Sequence, residues 1–132
     1  MTTPKHVNGS NCPACAMKLL QTDLKLRIWF VSHVLPQFPD FHVAISYRNE
    51  ADQNEAYVEH KSDLKFPFSK HNHMDSLGKP CSKAIDLFQL FGDGTAAFPI
   101  PAYQKLAVGL PDTMRWGGTF TDLRDYDHFE LL

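Results

Sequence analysis

The chain has 132 residues, with 13 Lys+Arg against 15 Asp+Glu, a formal charge of -2 and a pI near 6.4. That length fits one domain, and a near-neutral balance without basic blocks argues against nucleic acid as a partner. Apolar residues make up 43% and aromatic residues 12%, enough for a packed core, yet the longest strongly apolar run, Ile28 to Val31, is far too short to span a bilayer.

In chain order, MTTPKHVNGS contains no apolar stretch of the kind a cleaved leader needs, so synthesis in the cytoplasm without a signal peptide is expected. Asn11 or Cys12 can cap a helix with Pro13 in its first turn. Met17, Leu20, Leu24, Ile28, Val31 and Leu35 then recur every three or four residues, which predicts one amphipathic helix from Pro13 to about Leu35, stopped by Pro36 and Pro39. Phe41, Val43, Ile45 and Tyr47 alternate with His42, Ala44 and Ser46, the period of a strand with one buried face.

Glu50 to Lys61 reads as a short helix, and a polar loop dotted with aromatics follows. Lys83 to Phe91 and Thr95 to Pro99 flank Gly92-Asp93-Gly94, which predicts a hairpin. Pro101 opens a helix that Gly109 and Pro111 end, and the tail holds a Gly-Gly loop and a final extended DHFELL. The fold class expected is α+β: a single small domain over 1–132, helices packed on a short, mainly antiparallel sheet, with residues 1–40 an N-terminal helix packing on the rest.

Three stretches carry chemistry: Ser69-Lys70-His71, Ser82-Lys83-Ala84-Ile85-Asp86, and Trp116-Gly117-Gly118 followed by Asp125-Tyr126-Asp127-His128-Phe129-Glu130. Two imidazoles and a carboxylate are a common catalytic zinc set, because three protein ligands leave one tetrahedral position for a water that the metal acidifies. A carboxylate that is not a ligand can take that water's proton and pass it to the leaving amine.

Read in order, Ser69-x-His71, Ala84-x-Asp86, Trp116-Gly117-Gly118 and Asp125-x-x-His128-Phe129 resemble the zinc peptidases that include D-Ala-D-Ala carboxypeptidases, D,D-dipeptidases and phage L-alanyl-D-glutamate endolysins. Ser46-Tyr47-Arg48, Asp52-Gln53-Asn54 and Tyr57 resemble the family's upstream stretch, so the likeness covers about 43–130. The resemblance implies zinc on His71, Asp86 and His128 in a surface cleft, Asp125 as general base and then acid, and Arg48 against a substrate carboxylate or developing oxyanion. Gln53, Ser69 and Trp116 complete the substrate-binding set, and Gly117-Gly118 would let backbone approach the substrate. Residues 72–81 lengthen the family's compact His-to-Asp connection and bring in His73 as a competitor; the Ser-x-His match and the adjacent Asn72 select His71.

The activity implied is hydrolysis of a peptidoglycan stem peptide, foremost at the L-alanyl-D-glutamate bond, by a monomer that reaches the wall by a holin-type route. The alternatives are D-Ala-D-Ala carboxypeptidase or dipeptidase activity, and a non-catalytic zinc-containing wall-binding domain. Cys12, Cys15 and Cys81 remain. They are free thiols, a disulfide pair, a redox Cys-x-x-Cys, or a second, structural zinc site joined by His73 or His6.

Overall fold

The computed structural model describes residues 12–121 and 124–132, so Asn11, His6 and the leader question lie outside the described residues. Helix α1, Pro13–Leu20, begins as expected: Cys12 is the N-cap, its sulfur accepting the Cys15 N–H, and Pro13 occupies the first turn, where its missing N–H is harmless. The helix does not continue to Leu35. Ser82 N–H donates to the Gln21 carbonyl and Asp23 N–H to the Ser82 carbonyl, which pins this point to the later chain. The Arg27 guanidinium takes up the freed Leu19 and Thr22 carbonyls, and the Asp23 carboxylate caps α2, Leu24–Trp29. A π-helical turn, Phe30–Val34, leads into α3, Leu35–Gln37. Pro36 has no N–H for the Ser32 carbonyl and its ring crowds that oxygen, and the widened turn lies just before it.

The buried face is also not the expected one, from α1 onward. Met17, Leu20, Leu24, Ile28 and Val31, the expected core stripe, are each more than half exposed. Instead Cys15, Leu19, Leu26, Trp29, Phe30 and Val34 enter the core, and of the expected stripe Leu35 packs against it. Cys15, Leu19, Thr22, Leu26, Trp29, Phe30 and Val34 recur at helical spacing of their own, so the period survives the break and the core takes this second stripe instead of the expected one.

The sheet is antiparallel throughout, in the order β1-β2-β5-β4, with β3 also paired to β2. Its strands are β1 (Phe41–Ile45), β2 (Ala84–Leu90), β3 (Ala96–Ala97), β4 (Met114–Trp116) and β5 (His128–Leu131). Tyr47 falls outside β1, and His42 is buried along with Phe41 and Val43, so both faces of that strand are covered rather than one. The hairpin forms as expected, with Gln89 opposite Ala97, and β5 takes up the DHFELL segment. Strand β4 was not among the expected elements.

Helix α4, Glu50–Val58, points the fully buried Gln53 inward, while Val58 stays exposed. Helix α5, Ile100–Val108, buries Tyr103 and Leu106, and the Tyr103 hydroxyl donates to the Leu87 carbonyl at 2.6 Å. Trp29, Phe41, Tyr103 and Phe129 form the aromatic centre of the core between helices and sheet. This is an α+β domain with helices on an antiparallel sheet. No helix among the described residues is long and apolar enough to cross a membrane.

The shifted stripe has a direct test. Leu26→Ala removes a fully buried side chain and is expected to cost about 2–5 kcal/mol, whereas Ile28→Ala, two residues on but exposed, is expected to cost under about 1 kcal/mol. Urea unfolding of the two variants reads the difference; equal losses would restore the continuous-helix stripe.

Candidate metal centre

Asp86 sits near the start of the central strand β2, directly opposite His128 of β5. Facing residues on paired strands have side chains about 5 Å apart, so the register alone brings this carboxylate and imidazole together. His71 comes from a different kind of element, the 3₁₀ turn Lys70–Asn72. Ser69 caps that turn with its hydroxyl, and the Asn72 amide oxygen returns to the Ser69 N–H, a reciprocal capping box that holds His71 rigidly.

The three side chains converge closely. His128 Nδ1 lies 2.9 Å from Asp86 Oδ1, His71 Nε2 lies 3.2 Å from the same oxygen, and the two nitrogens are 3.2 Å apart. All three residues are buried. Their outward nitrogens already have acceptors: His71 Nδ1 is 2.7 Å from the Ser46 carbonyl, and His128 Nε2 is 2.7 Å from Glu130 Oε1. A neutral imidazole has one N–H, which those acceptors draw to the outer nitrogens. The inner nitrogens are then lone pairs aimed at each other and at a carboxylate, an arrangement that needs a proton or a cation at its centre. The donor set therefore fits a metal ion with two nitrogen ligands and one oxygen ligand.

The electrostatics of the metal-free site follow from this geometry. Burial disfavours charge on Asp86, but the two imidazoles outweigh it and hold its carboxyl well below the usual range. Burial likewise works against a charged His128, yet Asp86 and Glu130 bring its pKa up to about 10. Burial would raise Glu130; the His128 hydrogen bond and the Arg115 guanidinium override it and bring the value to about 2. Arg115 Nε donates to Glu130 Oε2 at 2.8 Å, and the Lys70 ammonium lies 3.6 Å from the same oxygen.

The site opens into a cavity of about 880 Å³ whose wall includes Arg48, Ser69, Phe68, Phe120, Arg124 and Asp125. Asp125 Oδ2 is 3.7 Å from His128 Nδ1, and about a third of that side chain is exposed. Asp127 is half-buried and hydrogen-bonded to Asp125; burial first, then that carboxylate, raises its pKa to about 8. Burial thus favours the protonated form of Asp127 beside Asp125.

His73 does not join the cluster: its Nδ1 rests 2.9 Å from the Cys81 carbonyl. Gln53 and Trp116, expected to touch substrate, are not part of the cavity wall among the described residues. Gln53 works from behind, its Oε1 accepting from Arg48 Nη1 at 3.1 Å and from Asn72 at 3.2 Å while its amide donates to Ser62 and the Leu64 carbonyl. Trp116 packs on Phe129 and donates its indole N–H to the Tyr126 carbonyl. The two glycines make room for neighbouring groups. A Cβ on Gly117 would lie 2.2 Å from the Asp125 carbonyl oxygen, and one on Gly118 would lie 2.3 Å from the Trp116 ring. Their bareness lets the Asp125 segment and the indole close against them, with Asp125 N–H bonded to the Gly117 carbonyl.

Glu130 and the Ser46 carbonyl were missed in the sequence. Glu130 could have been found, since a residue two beyond His128 in a strand shares its face. Ser46 could not, because its contribution is a backbone oxygen. Cys81 lies apart from the other two cysteines, and the structure instead groups Cys12 and Cys15 with His42. All three cysteines are free.

No protein-family model matches the chain, and no curated protein matches it in sequence. Among solved structures, the chain is similar to the crystal structure of Serratia marcescens L-Ala D-Glu endopeptidase ChiX, with a TM-score of 0.66 and 21% identity, over 91% of this chain and 87% of that one. The two proteins share a fold.

The charged network predicts how stability of the chelated protein depends on pH. Asp86 and Glu130 have depressed folded pKa values, so their contribution is present above the ordinary carboxylate range and is lost as pH falls from 4.5 toward 2. Asp127 and His128 are raised, so their contributions are present below 3.8 and 6.5 and are lost as pH rises through about 8 and about 10, with Asp127 carrying the earlier part of that limb. Urea midpoints across pH are expected to fall on both sides. Glu130→Gln should flatten the acid limb and Asp127→Asn the earlier part of the alkaline limb; unchanged limbs would mean that other groups carry the linkage.

Proposed function

We propose that this chain is a zinc-dependent peptidase that cuts peptidoglycan stem peptides at the L-alanyl-D-glutamate bond. The observation that carries the reading is the buried convergence of His71 Nε2, His128 Nδ1 and Asp86 Oδ1, with both outer nitrogens already satisfied. The fold shared with an L-Ala D-Glu endopeptidase supports the choice of bond. In this reading His71, Asp86 and His128 hold Zn²⁺, which when bound polarises the scissile carbonyl and makes water acidic.

The remaining roles belong to side chains at the cavity. Asp125, beside the ligands and open to solvent, takes the proton of the attacking water and returns it to the departing amine. Asp127 keeps a proton and orients Asp125 through their hydrogen bond. Arg48, steadied by Gln53, pairs with a substrate carboxylate or with the carbonyl oxygen as negative charge grows on it. Ser69 reaches the cavity wall and holds the His71 turn through its cap.

Purified peptidoglycan digested with the protein should yield new D-glutamyl amino termini and L-alanyl carboxyl termini by mass spectrometry, should stop doing so with a chelator, and should recover with zinc. Released D-alanine would redirect the reading to carboxypeptidase activity, and intact peptidoglycan with zinc-loaded protein would sink it.

Metal binding and catalysis should separate by residue. His71→Ala, Asp86→Ala and His128→Ala are each expected to strip the zinc held at this site, while His73→Ala keeps it. Asp125→Asn should keep zinc and lose about a hundredfold or more in rate, within the range of a lost general acid-base group. Arg48→Lys should keep zinc and lose about tenfold in kcat/KM, or about 1.4 kcal/mol of transition-state binding. Loss of metal in Asp125→Asn would make Asp125 a ligand instead.

A further inference from the structure

The Cys12-Pro13-Ala14-Cys15 segment takes no part in the chemistry above, yet its sulfurs lie in a built environment. Cys15 is buried at the end of the core, and its sulfur is 3.3 Å from Nδ1 of His42, itself buried in β1. One donor atom from each of Cys12, Cys15 and His42 lies within 4.8 Å of the other two. Tetrahedral zinc, with Zn–S near 2.3 Å and Zn–N near 2.0 Å, separates sulfur and nitrogen ligands by roughly 3.5 Å, close to the spacing found.

Both sulfurs also receive backbone N–H groups. Cys15 N–H donates to Cys12 Sγ at 3.1 Å and Val43 N–H to Cys15 Sγ at 3.4 Å. Burial, then the Cys12 hydrogen bond, pushes the Cys15 thiol up to about 12; the Val43 N–H works against that rise and fixes the sulfur's position, and a bound cation would supply the rest of what the thiolate needs. The Lys18 ammonium, bonded to the Val43 and Ala44 carbonyls, adds positive charge alongside. Two thiolates and an imidazole at the start of a helix and on the adjoining strand suit zinc by softness as well as spacing.

We propose that Cys12, Cys15 and His42 bind a second Zn²⁺, structural in role, that fastens the start of α1 to β1. On binding, each thiol releases its proton to solvent, so the two thiolates neutralise the ion's charge and the imidazole binds as a neutral donor. The fourth tetrahedral position is left to a further donor. The Cys81 sulfur is not part of this convergence. The same strand β1 runs to Ser46, whose carbonyl orients His71, so the second ion secures the chain on which the first site leans.

Cobalt distinguishes the two sites without reference to activity. The reduced full chain, freed of metal and titrated with Co²⁺, should develop a sulfur-to-cobalt charge-transfer band in the near ultraviolet; His71, Asp86 and His128 contain no sulfur and cannot produce it. The band should persist in His71→Ala and in Cys81→Ser and be lost in Cys12→Ser and His42→Gln. Serine is itself a strong N-cap, so Cys12→Ser keeps the helix start. Zinc bound per chain should fall by about one in Cys12→Ser, the amount held by one structural site. The proposal is overturned if the parent shows no such band, if the band survives Cys12→Ser, or if it disappears with Cys81→Ser. It is also overturned if the chain isolates with a Cys12–Cys15 disulfide and takes no cobalt after reduction, which would favour a redox pair.

Discussion

Three electron-pair donors aimed at one buried point are the constraint around which this molecule is arranged. His71 Nε2, His128 Nδ1 and Asp86 Oδ1 approach within 3.2 Å of one another away from solvent, where like polarity is weakly screened. Such a cluster persists only with positive charge at its centre. In the metal-free state His128 supplies it by holding a proton, which is why its pKa rises despite burial. A metal ion must displace that proton, so metal affinity falls with falling pH.

Around this point the protein invests in orientation. The Ser46 carbonyl and the Glu130 carboxylate fix the two ring tautomers, and Arg115 and Lys70 in turn keep Glu130 charged. Behind the cavity, Gln53 ties Arg48 to Asn72, which is joined in sequence to His71. Substituting Gln53 would therefore disturb Arg48 and the His71 turn together, although it touches neither the ligand cluster nor the cavity. Gly117 serves the same end by absence, because the Asp125 carbonyl occupies the space a side chain would fill.

Local signals in the sequence proved sound where they depended on a few adjacent residues. Pro13 and Cys12 begin α1, Gly92-Asp93-Gly94 turns the hairpin, and Pro101 and Gly109 bound α5. They misled where one segment carried two apolar stripes. Met17, Leu20, Leu24, Ile28 and Val31 form one, Cys15, Leu19, Leu26, Trp29, Phe30 and Val34 another at helical spacing, and packing buries the second. Asp23 and Pro36 were readable signals of a helix start and of a disturbed helix.

The sequence by itself determined the α+β class and the chemical inventory: two histidines, an aspartate and a nearby carboxylate in recognisable order, because short motifs keep their spacing along the chain. Tertiary structure decided which of these groups meet. Antiparallel register set Asp86 opposite His128, a capped 3₁₀ turn chose His71 over His73, and burial turned Asp127 into a proton holder beside Asp125. It also replaced Cys81 with His42 in the company of Cys12 and Cys15. Those pairings join residues far apart in sequence, and their distances follow from strand register and packing, to which composition and periodicity are blind.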